Sequence, residues 1–171
     1  MKRNTSRAAA LALALGWTVQ AATAAHAANG FGPRVGFGLQ PDQFVVGAQA
    51  LLGRSLYIFR FAPSFDLGWG DEVTTYAFNG DFEFQLGVPS TRARFYVGGG
   101  VGVTAWDFES SGSDTEVGLD LLGGARLAGR GSMEYTVEAR FGVGDIPDFR
   151  LLFGVLLGSG EPAPEGTPPQ P

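Results

Sequence analysis

Cysteine is absent from the 171 residues, and histidine occurs once, at His26. The first absence excludes disulfides, thiol chemistry and a lipidated N-terminal cysteine. Lysine is almost as scarce: every basic residue after Arg7 is an arginine, and acids outnumber bases to give a formal net charge of −5. A nucleic-acid binder carries the opposite balance, so no nucleic-acid partner is expected. Helical periodicity is missing as well. From Phe31 onward no stretch repeats its apolar residues at the spacing of a helix face.

The one long apolar run stands at the start. Lys2, Arg3 and Arg7 make a basic opening, and Ala8 to Ala25 is almost wholly small or apolar. Ala25-His26-Ala27 fits the small-x-small pattern of a secretory cleavage site, with Ala22-Thr23-Ala24 as a second choice. Residues 1–27 are therefore read as a cleaved signal peptide; an uncleaved anchor is the alternative, because the run is nearly long enough to span a bilayer. Cleavage after Ala27 removes His26 and leaves nine arginines against seventeen acids, a formal charge of −8. A mature chain without histidine has no His-based triad, no histidine metal ligand and no histidine general base.

What is present is alternation. In Val73 to Leu86, Thr74, Tyr76, Phe78, Gly80, Phe82, Phe84 and Leu86 form one phase, and Val73, Thr75, Ala77, Asn79, Asp81, Glu83 and Gln85 the other. A period of two marks a β-strand. Asn79-Gly80 is a strong hairpin signal, but a turn there would set Phe78 opposite Asp81 and Tyr76 opposite Glu83, mixing apolar and acidic residues on both faces. One unbroken strand is the expectation. Similar alternation runs through Arg34–Leu39, Phe44–Leu52, Ser55–Gly68, Ala93–Trp106, Glu116–Leu127, Met133–Gly144 and Phe149–Leu157. Pro63 falls inside the third of these strands and predicts a bulge or a locally unpaired position. Glu109 to Asp114 reads as the longest polar loop.

Eight strands with short connections predict an all-β fold, an eight-stranded antiparallel up-and-down transmembrane β-barrel over residues 28–160. The clear strands have about the 9–11 residues a tilted strand needs to cross a bilayer, and a closed barrel pairs every backbone group. The phase opposite the apolar one collects Arg34, Arg60, Arg94, Arg126, Arg140 and Arg150 with Asp66, Asp81, Glu83, Glu116, Asp120, Glu134 and Glu138. Inside a narrow barrel each buried charge needs a partner, and the planar fork of arginine suits such pairing. These thirteen residues are the candidate lumen ion-pair network. Gly98, Gly100, Gly102, Gly118, Gly142 and Gly144 would leave room for long side chains from opposite strands, since an eight-stranded interior is just filled by side chains.

The alternation, the leader, and the runs Phe95-Tyr96-Val97-Gly98-Gly99-Gly100-Val101-Gly102 and Val137-Glu138-Ala139-Arg140-Phe141 carry a resemblance. Over roughly Phe31 to Gly158 the chain resembles the small eight-stranded outer-membrane β-barrel proteins of Gram-negative bacteria, the class of OmpA-like barrel domains and opacity-type porin-family surface proteins. The resemblance implies a cell outer membrane location, contact with outer-membrane lipid, folding by the barrel-assembly machinery, and no cofactor. It also implies a lumen plugged by ion pairs, with that role for Arg60, Arg94, Glu138 and Arg140, and a periplasmic N-terminus, which makes Gln40–Gln43, Gly68–Val73, Asp107–Glu116 and Asp145–Phe149 the outer loops. Two features depart from the family. The last strand ends near Leu157 without a terminal aromatic residue, leaving Phe153 as a candidate internal assembly signal. A tail of residues 161–171 with five prolines follows, read as disordered or as an extended periplasmic segment.

Chemistry finds few footholds. Asp81 and Glu83 could serve as an acid–base pair, but two carboxylates amid arginines read more simply as structural ion pairs. Asp107, Glu109, Asp114 and Glu116 offer oxygen ligands for calcium, at a spacing that fits no loop motif. Trp69 and Trp106 suit an interfacial aromatic belt or plain packing at strand ends, and the strict phase of Trp106 points inward. No enzyme is expected. Three functions stand: a structural or surface-interaction barrel with a plugged lumen, a narrow pore for ions or small solutes, and a soluble periplasmic lipocalin-like barrel that binds a hydrophobic ligand with its aromatic phase inward.

Overall fold

The computed structural model describes residues 28–53, 59–70, 73–86, 93–108 and 112–158. The expected signal peptide (1–27), the proline-rich tail (161–171) and Glu109 lie outside the described residues. The described chain forms β1 (Ala28–Leu39), β2 (Gln43–Leu52), β3 (Phe59–Trp69), β4 (Val73–Leu86), β5 (Ala93–Phe108), β6 (Gly112–Ala128), β7 (Met133–Val143) and β8 (Phe149–Leu157). Each strand pairs antiparallel with the next, and β1 pairs with β8, so the sheet closes in chain order. The connections after the odd-numbered strands gather at one end, here the mouth. The chain enters and leaves at the other, the base.

Residues 73–86 are one unbroken 14-residue strand, as the clean separation of their faces predicts. Asn79 points inward, where its amide donates to Ser64 Oγ at 3.2 Å, and no turn forms at Gly80. Proline 63 stands opposite Gly80 without any register shift toward β4. Toward β2 the ladder skips from Gln49↔Ser64 to Leu52↔Phe61, the local loss of pairing expected of a residue that cannot donate.

Three boundaries differ from expectation. Strand β1 begins at Ala28, not near Arg34. Its first inward positions, Gly30 and Gly32, carry no side chain that could display the alternation, and a Cβ at Gly32 would lie 2.9 Å from the carbonyl carbon of Val155. Strands β5 and β6 run to 16 and 17 residues. The described half of the polar stretch read as a long loop is therefore strand, with Gly112, Ser113 and Asp114 paired to Phe108, Asp107 and Trp106. Both faces are exposed there, so no apolar phase marks it.

The two surfaces of the sheet differ in chemistry. Among the described residues, 27 large hydrophobic side chains are exposed and only ten hydrophobic residues are buried. Val117, Phe59, Phe82 and Phe37 are about 60 % exposed and all face outward. Aromatic pairs brace the outer face across β3 and β4: Phe59–Phe84, Phe61–Phe82 and Phe65–Phe78, with ring centroids 5.6, 5.3 and 4.5 Å apart. A soluble protein does not present such a continuous apolar surface to water. This overturns the lipocalin-like alternative, which requires the aromatic phase inside. No described helix is long and apolar enough to cross a membrane, and that says nothing of a barrel, which crosses with strands.

Candidate functional site

Every arginine that the alternation assigned to the inner phase points inward. Five of them, Arg34, Arg60, Arg126, Arg140 and Arg150, are buried, and Arg94 is half-buried at the base. Six carboxylates are buried with them: Asp66, Asp81, Glu83, Asp120, Glu134 and Glu138. Six cations thus meet six anions, the neutrality that burial demands.

The pairs form a connected ring across the barrel. Arg34 Nε donates to Asp66 Oδ1 at 2.7 Å and its Nη2 to Asp66 Oδ2 at 2.5 Å, a two-pronged contact from β1 to β3. Arg150 links Asp66 (3.1 Å) to Asp120 (3.2 Å). Arg140 then joins Asp120 (3.2 Å), Asp81 (2.8 Å) and Glu138 (3.0 Å). Glu138 closes the ring, 3.5 Å from Arg34 Nη1. Toward the base, Tyr96 Oη donates to Glu138 Oε2 at 2.9 Å. The guanidinium of Arg126 lies 4.0 Å over the Tyr96 ring and pairs with Glu83. Arg60 stands opposite Glu83 in the β3–β4 register. Arg94 and Glu134 pair nearest the base.

The inner glycines leave the space these side chains occupy. A Cβ at Gly100 would sit 2.6 Å from Asp81 Cα, and one at Gly124 would sit 2.5 Å from Tyr96 Oη. A cavity of about 10 Å³ lies between Arg34, Gln49, Glu83, Arg126 and Glu138, about the room of one water-sized sphere.

One predicted member does not join. Glu116 is half-buried near the mouth, opposite Thr104, and makes no ion pair among the described residues. Its phase is the inner one, but it lies above the height at which β7 closes the wall, so the same phase reaches solvent there. Asp107 and Asp114, the other described members of the calcium set, are exposed on the same hairpin, where Thr115 N donates to Asp114 Oδ1 at 2.8 Å. The described residues hold no group of three or more metal-ligating side chains. Trp69 is exposed on the outer face at the mouth end of β3. Trp106 follows its strict phase inward, half-buried and stacked on Phe108 with centroids 6.2 Å apart. Phe153 is on the outer face in the middle of β8.

Two features of the interior had no reading in the sequence. Leu51, Leu122, Leu152 and Leu156 face inward and are buried, and Leu51, Ala62 and Leu156 form a small apolar cluster at the base. At the mouth, the β7–β8 connection folds into the barrel. Gly144, with φ +106°, turns the chain, and Ile146 is only 3 % exposed. Its side chain fills the space left by Gly118 and Gly142, where a Cβ would meet Ile146 Cγ1 at 2.8 Å. Two inner-phase glycines on adjacent strands, offset by two positions in the register, with an isoleucine four residues past one of them, were the available signal.

No protein-family model matches the sequence, and neither does any curated protein. Solved structures do match. The chain is similar to Neisserial surface protein A, with 15 % identity, a TM-score of 0.59, and 75 % of this chain and 94 % of that one covered. It is also similar to the N-terminal β-barrel domain of OprF from Pseudomonas aeruginosa, with 14 % identity, a TM-score of 0.57, and coverage of 76 % and 97 %. The chain therefore has the fold of the small eight-stranded outer-membrane β-barrels.

Proposed function

We propose that this protein is a small barrel of the bacterial outer membrane, closed by its own side chains, with a structural or surface-interaction role in place of transport. One observation carries the reading: apolar residues cover the outside while six arginines and six carboxylates neutralise one another inside. Buried charge is tolerated where partners are fixed, and an outer apolar surface is stable where it meets lipid. Residues 1–27 would export the chain, the barrel-assembly machinery would insert it, and the mouth would face outward. The narrow-pore reading requires a continuous polar path. The ring of ion pairs at mid-height and Ile146 at the mouth both lie across that path. No catalytic chemistry is assigned, since Asp81 and Glu83 each hold an arginine.

The test has two parts. Boiled and unboiled samples of the outer-membrane fraction are compared on a gel, where a folded barrel resists detergent and shifts only on heating. The purified barrel is then placed in a planar bilayer. The reading expects a heat-dependent shift and no steady conductance. A soluble protein without a shift would sink the membrane location, and steady single-channel currents would replace the closed barrel with the narrow pore.

A further inference from the structure

The barrel wall is not of even height. Strand β6 pairs with β5 from Gly112↔Phe108 onward, but with β7 only from Leu119↔Val143. Beyond Val143 the chain turns at Gly144 and carries Ile146 into the mouth, so among the described residues nothing continues upward beside β6 past Gly144. Residues 112–117 therefore have one paired side and one open side. Among the described residues no further backbone hydrogen bond reaches this stretch. By the alternation of an antiparallel ladder, every second residue aims its N–H and C=O at the open side, about three residues in all.

Such an edge is a template for another strand, and proteins usually blunt it with short length, charged side chains, proline, a bulge or a covering segment. Among the described residues, no proline, lysine, bulge or covering segment occurs between Gly112 and Val117. The edge carries acids instead. Asp114 and Glu116 lie on one face, with Ser113, Thr115 and Val117 on the other, and Asp107 stands behind Ser113 on β5. Val117 is 63 % exposed. No lysine or arginine occurs anywhere between Arg94 and Arg126.

The charges choose the occupant. A second copy of this chain pairing antiparallel about Thr115 would set Asp114 of each copy opposite Glu116 of the other, and like charges directly opposite destabilise a strand pair. A strand with basic residues on one face and small or β-branched residues on the other would satisfy both faces. We propose that the open edge of β6, residues 112–117, is a docking site for an extended cationic peptide segment that adds to the sheet as a ninth strand. Recognition divides between the two strands' chemistries. Backbone pairing supplies the attachment, and Asp114 and Glu116 select lysine or arginine at alternate positions of the partner. The inference stands on the strand register and does not depend on the lumen being closed.

The test uses the full chain folded in uncharged detergent micelles, with the heat shift verifying the barrel before each titration and empty micelles as the blank. The probe is a fluorescent ten-residue peptide of alternating lysine and valine, and binding is read by anisotropy. It is expected to bind, with more than about tenfold loss when alternate backbone nitrogens of the peptide are methylated, because about three hydrogen bonds then go unmade. The D114N/E116Q protein, whose heat shift is expected to be unchanged, should bind about three- to tenfold more weakly. Binding of the methylated peptide as tight as the parent would reduce the contact to charge attraction and overturn the proposal. So would an unchanged affinity in D114N/E116Q, or no binding at millimolar peptide. Because the barrel is verified first, each of these speaks to the edge and not to the fold.

Discussion

Arg140 is the residue on which the interior most depends, and its removal measures how dry that interior is. The side chain is 1 % exposed and ion-paired with Asp81, Asp120 and Glu138. Arg140→Met keeps much of the volume and removes the charge. Asp120 would keep Arg150 at 3.2 Å, and Glu138 would keep Tyr96 at 2.9 Å and Arg34 at 3.5 Å. Asp81, fully buried, has its ion pair among the described residues with Arg140 and would be left with an uncompensated charge. Breaking a buried pair from one side costs about 3–5 kcal/mol, a large part of the ~5–15 kcal/mol that holds a typical domain folded. Asp81→Asn alone leaves Arg140 two carboxylates and should cost about 1–3 kcal/mol, the worth of one hydrogen bond to a charged group. The double variant removes the orphaned charge and should recover roughly 2 kcal/mol against the sum of the singles, a coupling typical of residues in direct contact. Urea unfolding of vesicle-embedded barrels, followed by the fluorescence of Trp69 and Trp106, gives all four corners of the cycle. A cost under about 1 kcal/mol for Arg140→Met, or no coupling with Asp81→Asn, would mean that water screens these charges. The closed-lumen reasoning would then fail.

Three further outcomes follow from other parts of the molecule. Gly118→Val would place carbon 2.8 Å from Ile146 Cγ1 and from the Val143 carbonyl oxygen. It should expel Ile146 and cost about 1–3 kcal/mol by urea titration, while bilayer recordings stay silent because the ring of ion pairs lies below. Val35 is the central outward residue of β1 and 45 % exposed. Val35→Arg should cost about 2–4 kcal/mol in vesicles if that face meets hydrocarbon, and a cost near zero would contradict a bilayer around it. Glu116→Gln should change stability by less than about 0.5 kcal/mol, as for a surface position; a loss like that of a buried pair would return Glu116 to the network.

Alternation made the fold legible because the two faces of the sheet differ in chemistry. Val73 to Leu86 is the plainest case: its aromatic phase faces out and its acidic phase in, and the same separation correctly ruled out a hairpin at Asn79-Gly80. Legibility failed where that contrast fails. The glycines that open β1 display no phase, and Gly112 to Glu116 has water on both faces. Leu51, Leu122, Leu152 and Leu156 point inward among charges, where composition alone would have sent them out. The pairing of the candidate network was not legible at all. Phase says that Arg34 and Asp66 share the lumen; that they touch depends on tilt and register between strands 32 residues apart in sequence.

Placing Glu116 outside the network has a consequence for where the charge of the mature chain resides. With six cations and six anions inside, the lumen is neutral, and the whole excess of acid must sit at the ends. Asp42, Asp107, Asp114, Glu116, Asp145 and Asp148 all belong to the mouth end, with no basic residue among the described connections there. The base turn between β6 and β7 carries Arg130. A closed barrel transmits little through its axis, so its long-range field comes from these ends, within about a Debye length of ~8 Å at physiological salt. A cationic segment would be drawn to the mouth. The open strand edge lies at the mouth, beside the acids that would attract such a segment, and the proposed docking rests on that coincidence of backbone valence and charge.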